Sequence, residues 1–175
     1  MSENPILYAL LYARGKTMKD NEGIPTKIHM QKEVFILQRR FPFNAYNNLY
    51  SFVPLYYGPF SVELSRDLEE GVDKGLISDT DGITLTPAGF KFSQNMWNSM
   101  DQNARTVIIQ VKEQFNRVKT DDILNYVYDH YPKFTKKSAM LRGPVDDYFD
   151  KFWNENNLSD EYFVMAVRKY REQNA

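Results

Sequence analysis

The 175-residue sequence has no cysteine, only two histidines, and no excess of charge, with 22 Lys+Arg against 23 Asp+Glu. Without cysteine, the chain offers no disulfide, no thiolate nucleophile and no cysteine ligand for zinc or iron–sulfur clusters. The formal net charge of −1 argues against binding nucleic acid through overall positive charge. Because little remains from which a catalytic or metal site could be built, we expect no metal, no cofactor and no enzymatic activity.

Long hydrophobic runs are also missing. The apolar run Ile6 to Tyr12 falls well short of the roughly 20 residues that a transmembrane helix needs. Glu3, rather than basic residues, precedes this run, and no small-residue cleavage site follows it, which argues against a signal peptide. Together with the missing cysteine, this predicts a cytoplasmic protein with no membrane partner.

The sequence does contain several helix-start signals and β-prone segments. Side chains that favour helix N-caps precede helix-like segments at Asn4, Thr26, Ser61 and Thr86. Residues 50–57 are β-prone, but Pro54 restricts them to an edge strand, which we expect Gly58-Pro59 to end. Residues 76–78 and 83–85 flank an Asp-Gly tip and predict a β-hairpin.

This order of helix, helix, strand, helix, hairpin and helix is that of a winged helix. We therefore predict a mainly-α fold with a small β component. Residues 1–98 form the winged-helix-like core, and residues 99–175 form a helical extension. No long linker separates the two parts, so we expect the extension to pack on the core in one compact domain.

Several short motifs, in their order and spacing over roughly residues 5–140, carry a family resemblance. They lie at residues 27–32, 57–61, 64–77, 85–89, 122–128 and 131–132. In these motifs the chain resembles the YwgA-like proteins and, more distantly, the Panacea group of antitoxin-related domains. The resemblance implies a helical, winged-helix-like fold without established enzymatic activity. The association of Panacea-type members with toxin neutralisation implies protein binding.

Two aromatic groups are candidates for a partner-binding surface. Tyr56 and Tyr57 precede Gly58-Pro59; the alternative is that this segment is only a hinge between strand and helix. Tyr148, Phe152 and Trp153 belong to a dense aromatic stretch, and aromatic residues are enriched at interface centres. The alternative is an internal core with the winged part. No family motif is found in residues 145–175.

Charge placement argues against reading DNA with the predicted helix at residues 61–74. It carries five acidic and two basic residues, a net charge of −3, where phosphate neutralisation needs positive charge. The predicted wing tip, with Asp79 and Asp81, is acidic as well. We therefore expect sequence-specific DNA binding through this helix to be disfavoured.

Basic residues collect elsewhere. One cluster follows Tyr131 and flanks Phe134, and such aromatic–basic mixing can serve single-stranded nucleic acid. Its members are Lys133, Lys136, Lys137 and Arg142. The alternative is a solvated loop. A second basic group, on the helix that starts after Thr26, is interpreted as a solvated face and comprises Lys27, Lys32, Arg39 and Arg40. If the two groups adjoin in space, nucleic-acid binding gains support.

The sequence thus favours a non-enzymatic binding module that acts by protein–protein interaction, of antitoxin-like or regulatory type, with a protein partner or a second copy of itself. The mechanism would be burial of an aromatic surface with charged contacts at its rim. The alternative is a winged-helix DNA-binding transcription regulator.

Overall fold

Six α-helices and two short β-hairpins make up the part of the chain that the computed structural model describes, residues 4–41, 46, 49–55 and 58–134. The helices are α1 (Pro5–Tyr12), α2 (Lys27–Arg40), α3 (Val62–Asp73), α4 (Pro87–Ser99), α5 (Gln102–Phe115) and α6 (Thr120–His130), with a 3₁₀ helix at Pro132–Phe134. The strands are β1 (Val53–Leu55), β2 (Gly58–Phe60), β3 (Ile77–Ser78) and β4 (Thr84–Leu85). The expected mainly-α fold with a small β component is confirmed.

The four predicted helix starts are confirmed. At each of them a side-chain oxygen accepts a backbone N–H of the first turn, at 3.0–3.2 Å. The capping residues are Asn4, Thr26, Ser61 and Thr86. Because the first N–H groups of a helix have no partner inside it, each such cap contributes about 1 kcal/mol.

Strands β3 and β4, with the turn between them, form the hairpin that we call the wing (residues 77–85). Ile77 pairs with Leu85 in antiparallel register, and Gly82 in the turn has a φ of +68°, which favours glycine. Ile24 and Ile83 also exchange two backbone hydrogen bonds, at 2.9 and 2.8 Å. This bridge places the segment between α1 and α2 beside the wing, as the first strand of a winged helix lies.

The second hairpin corrects one sequence-based expectation. Gly58-Pro59 does not end a strand but belongs to β2, which pairs antiparallel with β1. Gly58 has a φ of +79°, a conformation that glycine adopts without strain as the chain enters β2. Pro54 and Pro59 occupy the same register position. Opposite residues in a non-hydrogen-bonded antiparallel pair donate no N–H to each other, so two prolines can occupy such a pair.

Helix α1 lies at the centre of the hydrophobic core. Its residues 6–11 are at most 2% exposed, because α4 and α5 pack against it. Helix α2 packs against α5 and α6. Ile108 and Val111 of α5 and Ile123 and Val127 of α6 belong to the same core as α1 and α2. The described part of the predicted extension therefore shares its core with the winged part.

Two glutamines of α2 fix the chain between α2 and α3. Gln38 accepts from the backbone N–H of Tyr50 at 2.8 Å and donates to the Tyr50 carbonyl at 2.9 Å. Gln31 holds Ser61 in the same way, at 2.8 and 3.0 Å. The two glutamines are seven residues apart and so lie on one side of the helix. Each glutamine amide thus supplies hydrogen-bond partners for one buried backbone N–H and one buried carbonyl, as a neighbouring strand would.

Candidate functional site

The outward side of α3 is acidic. The exposed Arg66 lies opposite the buried Leu64, Leu68 and Gly71. Four carboxylates surround it at helical spacing, one of them, Asp67, half-buried at the edge of the buried stripe. We call them the acidic α3 face: Glu63, Asp67, Glu70 and Asp73. The turn of the wing adds the exposed Asp79 and Asp81. The two elements with which a winged helix would approach DNA both carry negative charge.

Two contacts reduce the negative charge in the middle of this surface. Lys74 and Glu70 form an ion pair at 3.0 Å, which balances one charge. Asp67 accepts a hydrogen bond from the hydroxyl of the buried Tyr50 at 2.7 Å, and burial raises the pKa of Asp67. The hydroxyl adds no positive charge. The exposed Glu63 and Asp73 therefore set the charge at the two ends of the acidic α3 face.

The basic residues of α2 form the predicted solvated face only in part, since Arg39 is exposed but Lys32 is buried. Lys32 is only 2% exposed, and its Nζ donates to the carbonyl of Pro59 at 2.9 Å. Burial lowers the pKa of Lys32 to about 7. Arg40 donates to the Gln114 side chain at 2.9 Å and to the Tyr126 hydroxyl at 2.8 Å. The interpretation was wrong for Lys32 because the β2 segment covers that side of α2.

Arg39 connects the second basic group to the start of the first. Its guanidinium lies 4.8 Å from the ring centroid of Phe35 and 5.0 Å from that of Phe134. Lys133, the neighbour of Phe134 in the 3₁₀ helix, is exposed, as is Arg39. Of the first basic group, Lys133 is the member that the structure describes, and Phe134 places it beside Arg39 of the second group.

The remaining predicted site residues lie outside the described residues, so their expected roles stay predictions. They are the aromatic candidates Tyr56, Tyr57, Tyr148, Phe152 and Trp153 and the basic candidates Lys136, Lys137 and Arg142. Residues 145–175 lie outside the described part altogether.

Sequence reasoning missed a set of buried polar side chains between α2, α5 and the loop at residues 14–25. We call it the buried polar centre: Glu22, Glu33, Lys112 and Asn116, which are at most 8% exposed. Lys112 follows Ile108 by four residues and precedes Phe115 by three, so it lies on the apolar stripe of α5. The position of Lys112 on the apolar stripe is the sequence feature from which its burial could have been predicted.

Lys112 caps the C-terminal end of α1. Its Nζ donates to the carbonyls of Leu10 at 2.8 Å, Leu11 at 3.1 Å and Ala13 at 2.6 Å. The last carbonyls of a helix have no partner within it and carry partial negative charge, so an ammonium group suits this place. All three ammonium hydrogens are used in these bonds. Burial lowers the pKa of Lys112 to about 8, which Glu33 and Glu22 partly oppose.

The acidic members of the centre are poorly supplied with donors. Among the described residues, both carboxyl oxygens of Glu33, one of Glu22 and the Asn116 carbonyl oxygen have no hydrogen-bond partner. Burial raises the pKa of Glu33 well above its usual value; Lys112 lowers it and Glu22 raises it further. A side chain at Gly15 would overlap the Glu22 carboxylate, so only glycine lets the two approach.

Neither of the two leading surface depressions formed by the described residues resembles an active site. One, between α2 and α3, has a volume of about 10 Å³, room for one water molecule at most. The other, of about 350 Å³, is lined by Tyr46, Asn95, Met96 and Met100 with Pro5 and Ser99. Its lining contains no carboxylate, histidine or amine that could act as an acid or base.

Both histidines have hydrogen-bond partners, His29 in the interior and His130 at the exposed end of α6. His29 Nε2 lies 2.8 Å from the Val118 carbonyl, and its Nδ1 lies 2.9 Å from the Thr26 hydroxyl. His130 Nδ1 lies 2.8 Å from the Tyr126 carbonyl. Within the described ranges, no group of three or more His, Asp or Glu could hold a metal ion. None of the helices described is long and apolar enough to cross a membrane.

No family model, no curated protein and no solved structure matches this chain.

Proposed function

We propose that the protein is a non-enzymatic binding module whose acidic α3 face and wing tip bind a basic surface of a partner protein. The observation that carries this proposal is the charge of the surface: the recognition-helix position and the wing turn are both acidic. Charge complementarity steers association and suppresses partners of like charge. DNA is such a like-charged partner, whereas a protein that itself binds nucleic acid offers the opposite charge.

The interior of α3 supports this use of its outer face. Leu64 and Leu68 anchor the helix in the core, and Gln31 fixes its start through Ser61. The acidic side chains are therefore presented by a rigid element, which reduces the entropy lost on binding. The aromatic stretch that includes Tyr148, Phe152 and Trp153 would supply apolar contact area, and the antitoxin-related resemblance fits the same role.

Charge reversal on α3 tests the proposal. We would tag the protein in its native host and compare wild type, the double variant Glu63→Lys/Asp73→Lys, and the control Glu113→Lys/Asp129→Lys, whose exposed sites lie on α5 and α6. We expect a partner protein with a basic surface to co-purify with wild type and control but not with the α3 variant. The same recovery with all three proteins, or a bare monomer in each case, would contradict the proposal.

Nucleic-acid binding is the second candidate, and one contact favours it. Arg39 packs on Phe134 beside the exposed Lys133, where the basic loop begins. Aromatic rings beside cationic groups can stack with bases and neutralise phosphates. A gel-shift titration of genomic fragments and of single-stranded oligonucleotides against salt would separate the two candidates. Retardation that weakens with salt and is lost in Arg39→Ala/Lys133→Ala, but not in Glu63→Lys/Asp73→Lys, would favour nucleic acid at this surface.

A further inference from the structure

The buried polar centre has too few positive charges and too few hydrogen-bond donors among the described residues. It holds two carboxyl groups, Glu22 and Glu33, against the single ammonium of Lys112, whose three hydrogens are all bonded to α1 carbonyls. Four of its oxygen atoms have no donor among the described residues. Buried acceptors without donors are destabilising, and so is an uncompensated buried charge. One proton on a carboxyl group supplies the missing charge and one of the missing donors together.

We propose that Glu33 carries this proton in the folded protein at neutral pH and that its loss to solvent loosens the loop at residues 14–25 and the wing attached to it. Of the two carboxyl groups, Glu33 lies deeper, with 0% of its surface exposed against 8% for Glu22, and neither of its oxygens is bonded. Ionised Glu33 would place a second negative charge close to Glu22, in an interior that screens it weakly.

The loop transmits this change to the wing through named hydrogen bonds. Asn21, next to Glu22, donates to the Leu85 carbonyl at 2.8 Å and accepts from its N–H at 3.0 Å. Ile24 pairs with Ile83 on the other side of Glu22. Repulsion of Glu22 therefore acts on the segment that holds both ends of β4. This regulation concerns the wing itself and holds whichever partner binds there.

The groups that face Glu33 come from each neighbouring segment. Lys112 of α5 favours the ionised form, whereas Glu22 of the loop and burial between the helices favour the protonated form. Helix α1 contributes main-chain carbonyls that are already bonded to Lys112. On α2 itself, His29 lies one turn before Glu33, and burial lowers its pKa, which favours its neutral form.

Hydrogen exchange across a pH series tests the proposal. The amides of Ile24, Ile83 and Leu85 report on the loop–wing contact, and their protection factors would be measured from pH 5 to pH 10. In wild type we expect protection to fall by about tenfold per pH unit from the ordinary glutamate pKa of 4.5 up to the raised pKa of Glu33, since opening releases one proton only in that range, and to level off above it. Glu33→Gln, which keeps the shape and stays neutral, should hold its protection.

The control is Glu113→Gln, an exposed site on α5 that should follow wild type. Because Lys32 and Lys112 titrate in all three proteins, only the difference between the curves counts. Parallel curves for wild type and Glu33→Gln would overturn the proposal. If Glu33→Gln does not fold, carboxyl-carbon NMR of Glu22→Gln replaces it: the Glu33 titration should move to lower pH, and an unmoved titration would equally overturn the proposal.

Discussion

Replacing Lys112 by methionine is expected to destabilise the protein by about 3–5 kcal/mol, the range for removing one partner of a buried charged group. Methionine keeps an unbranched, apolar side chain in the core but offers no donor to the end of α1. The three carbonyls that Lys112 now holds at 2.6–3.1 Å would then lie buried and unbonded.

The magnitude follows from two opposing effects. A buried acceptor that loses its partner costs about 1–3 kcal/mol, so three of them would sum to about 3–9 kcal/mol. Removing the ammonium also removes the free energy spent in taking it out of water, which lowers the total. Since folded domains are stable by only about 5–15 kcal/mol, the variant would lose a large fraction of the free energy of unfolding.

Urea unfolding at pH 6 measures the effect where Lys112, with a pKa of about 8, is charged. In thermal unfolding at the same pH, the corresponding fall in melting temperature is about 6–20 °C, at about 2–4 °C per kcal/mol. Lys91→Met, at an exposed position of α4, is the matched control and should stay within about 0.5 kcal/mol of wild type. A Lys112→Met protein no less stable than this control would refute the capping role.

Two further substitutions test the polar contacts of α2. Gln38→Leu leaves the N–H and carbonyl of Tyr50 buried without partners, and we expect a loss of about 2–4 kcal/mol in urea unfolding; a loss as small as an exposed Gln→Leu change gives would contradict this. Lys32 has a pKa of about 7 when folded and 10.5 otherwise, so unfolding takes up a proton between these values and wild-type stability rises with pH. Lys112, whose folded pKa of about 8 also lies below its ordinary value, contributes to the same rise, so Lys32→Met should show a shallower one. Equal pH slopes in the two proteins would contradict the burial of Lys32.

Local signals in the sequence predicted the helix starts and the wing, because caps and turns depend on residues close in the chain. Thr26 and Ser61 each bond to a backbone group three residues on, and Gly82 needs only its own φ. The acidic α3 face was predictable for the same reason, since helical spacing fixes which side chains share a side.

Contacts between distant parts of the chain could not be predicted in this way. Lys112 bonds to Leu10 across 102 positions, and Lys32 reaches Pro59 across 27. A lysine beside the apolar stripe of a helix usually extends its ammonium group into solvent. It becomes buried only when another segment of the chain packs over it. The interior position of Glu33 depends likewise on where α5 and the 14–25 loop lie.

Apolar burial holds α2 in the core but does not fix the segments around it, because hydrophobic contacts have no direction. The polar side chains of α2 position these segments through directional contacts. Gln38 and Gln31 bond to the chain that leads into α3, and Glu33 lies beside the loop that is bonded to the wing. The acidic α3 face and the wing tip are thus positioned by separate attachments to one helix. A change in the charge of Glu33 should therefore alter the wing while leaving α3 in place. Because only the wing half of the surface would move, partner binding should weaken at high pH without being abolished.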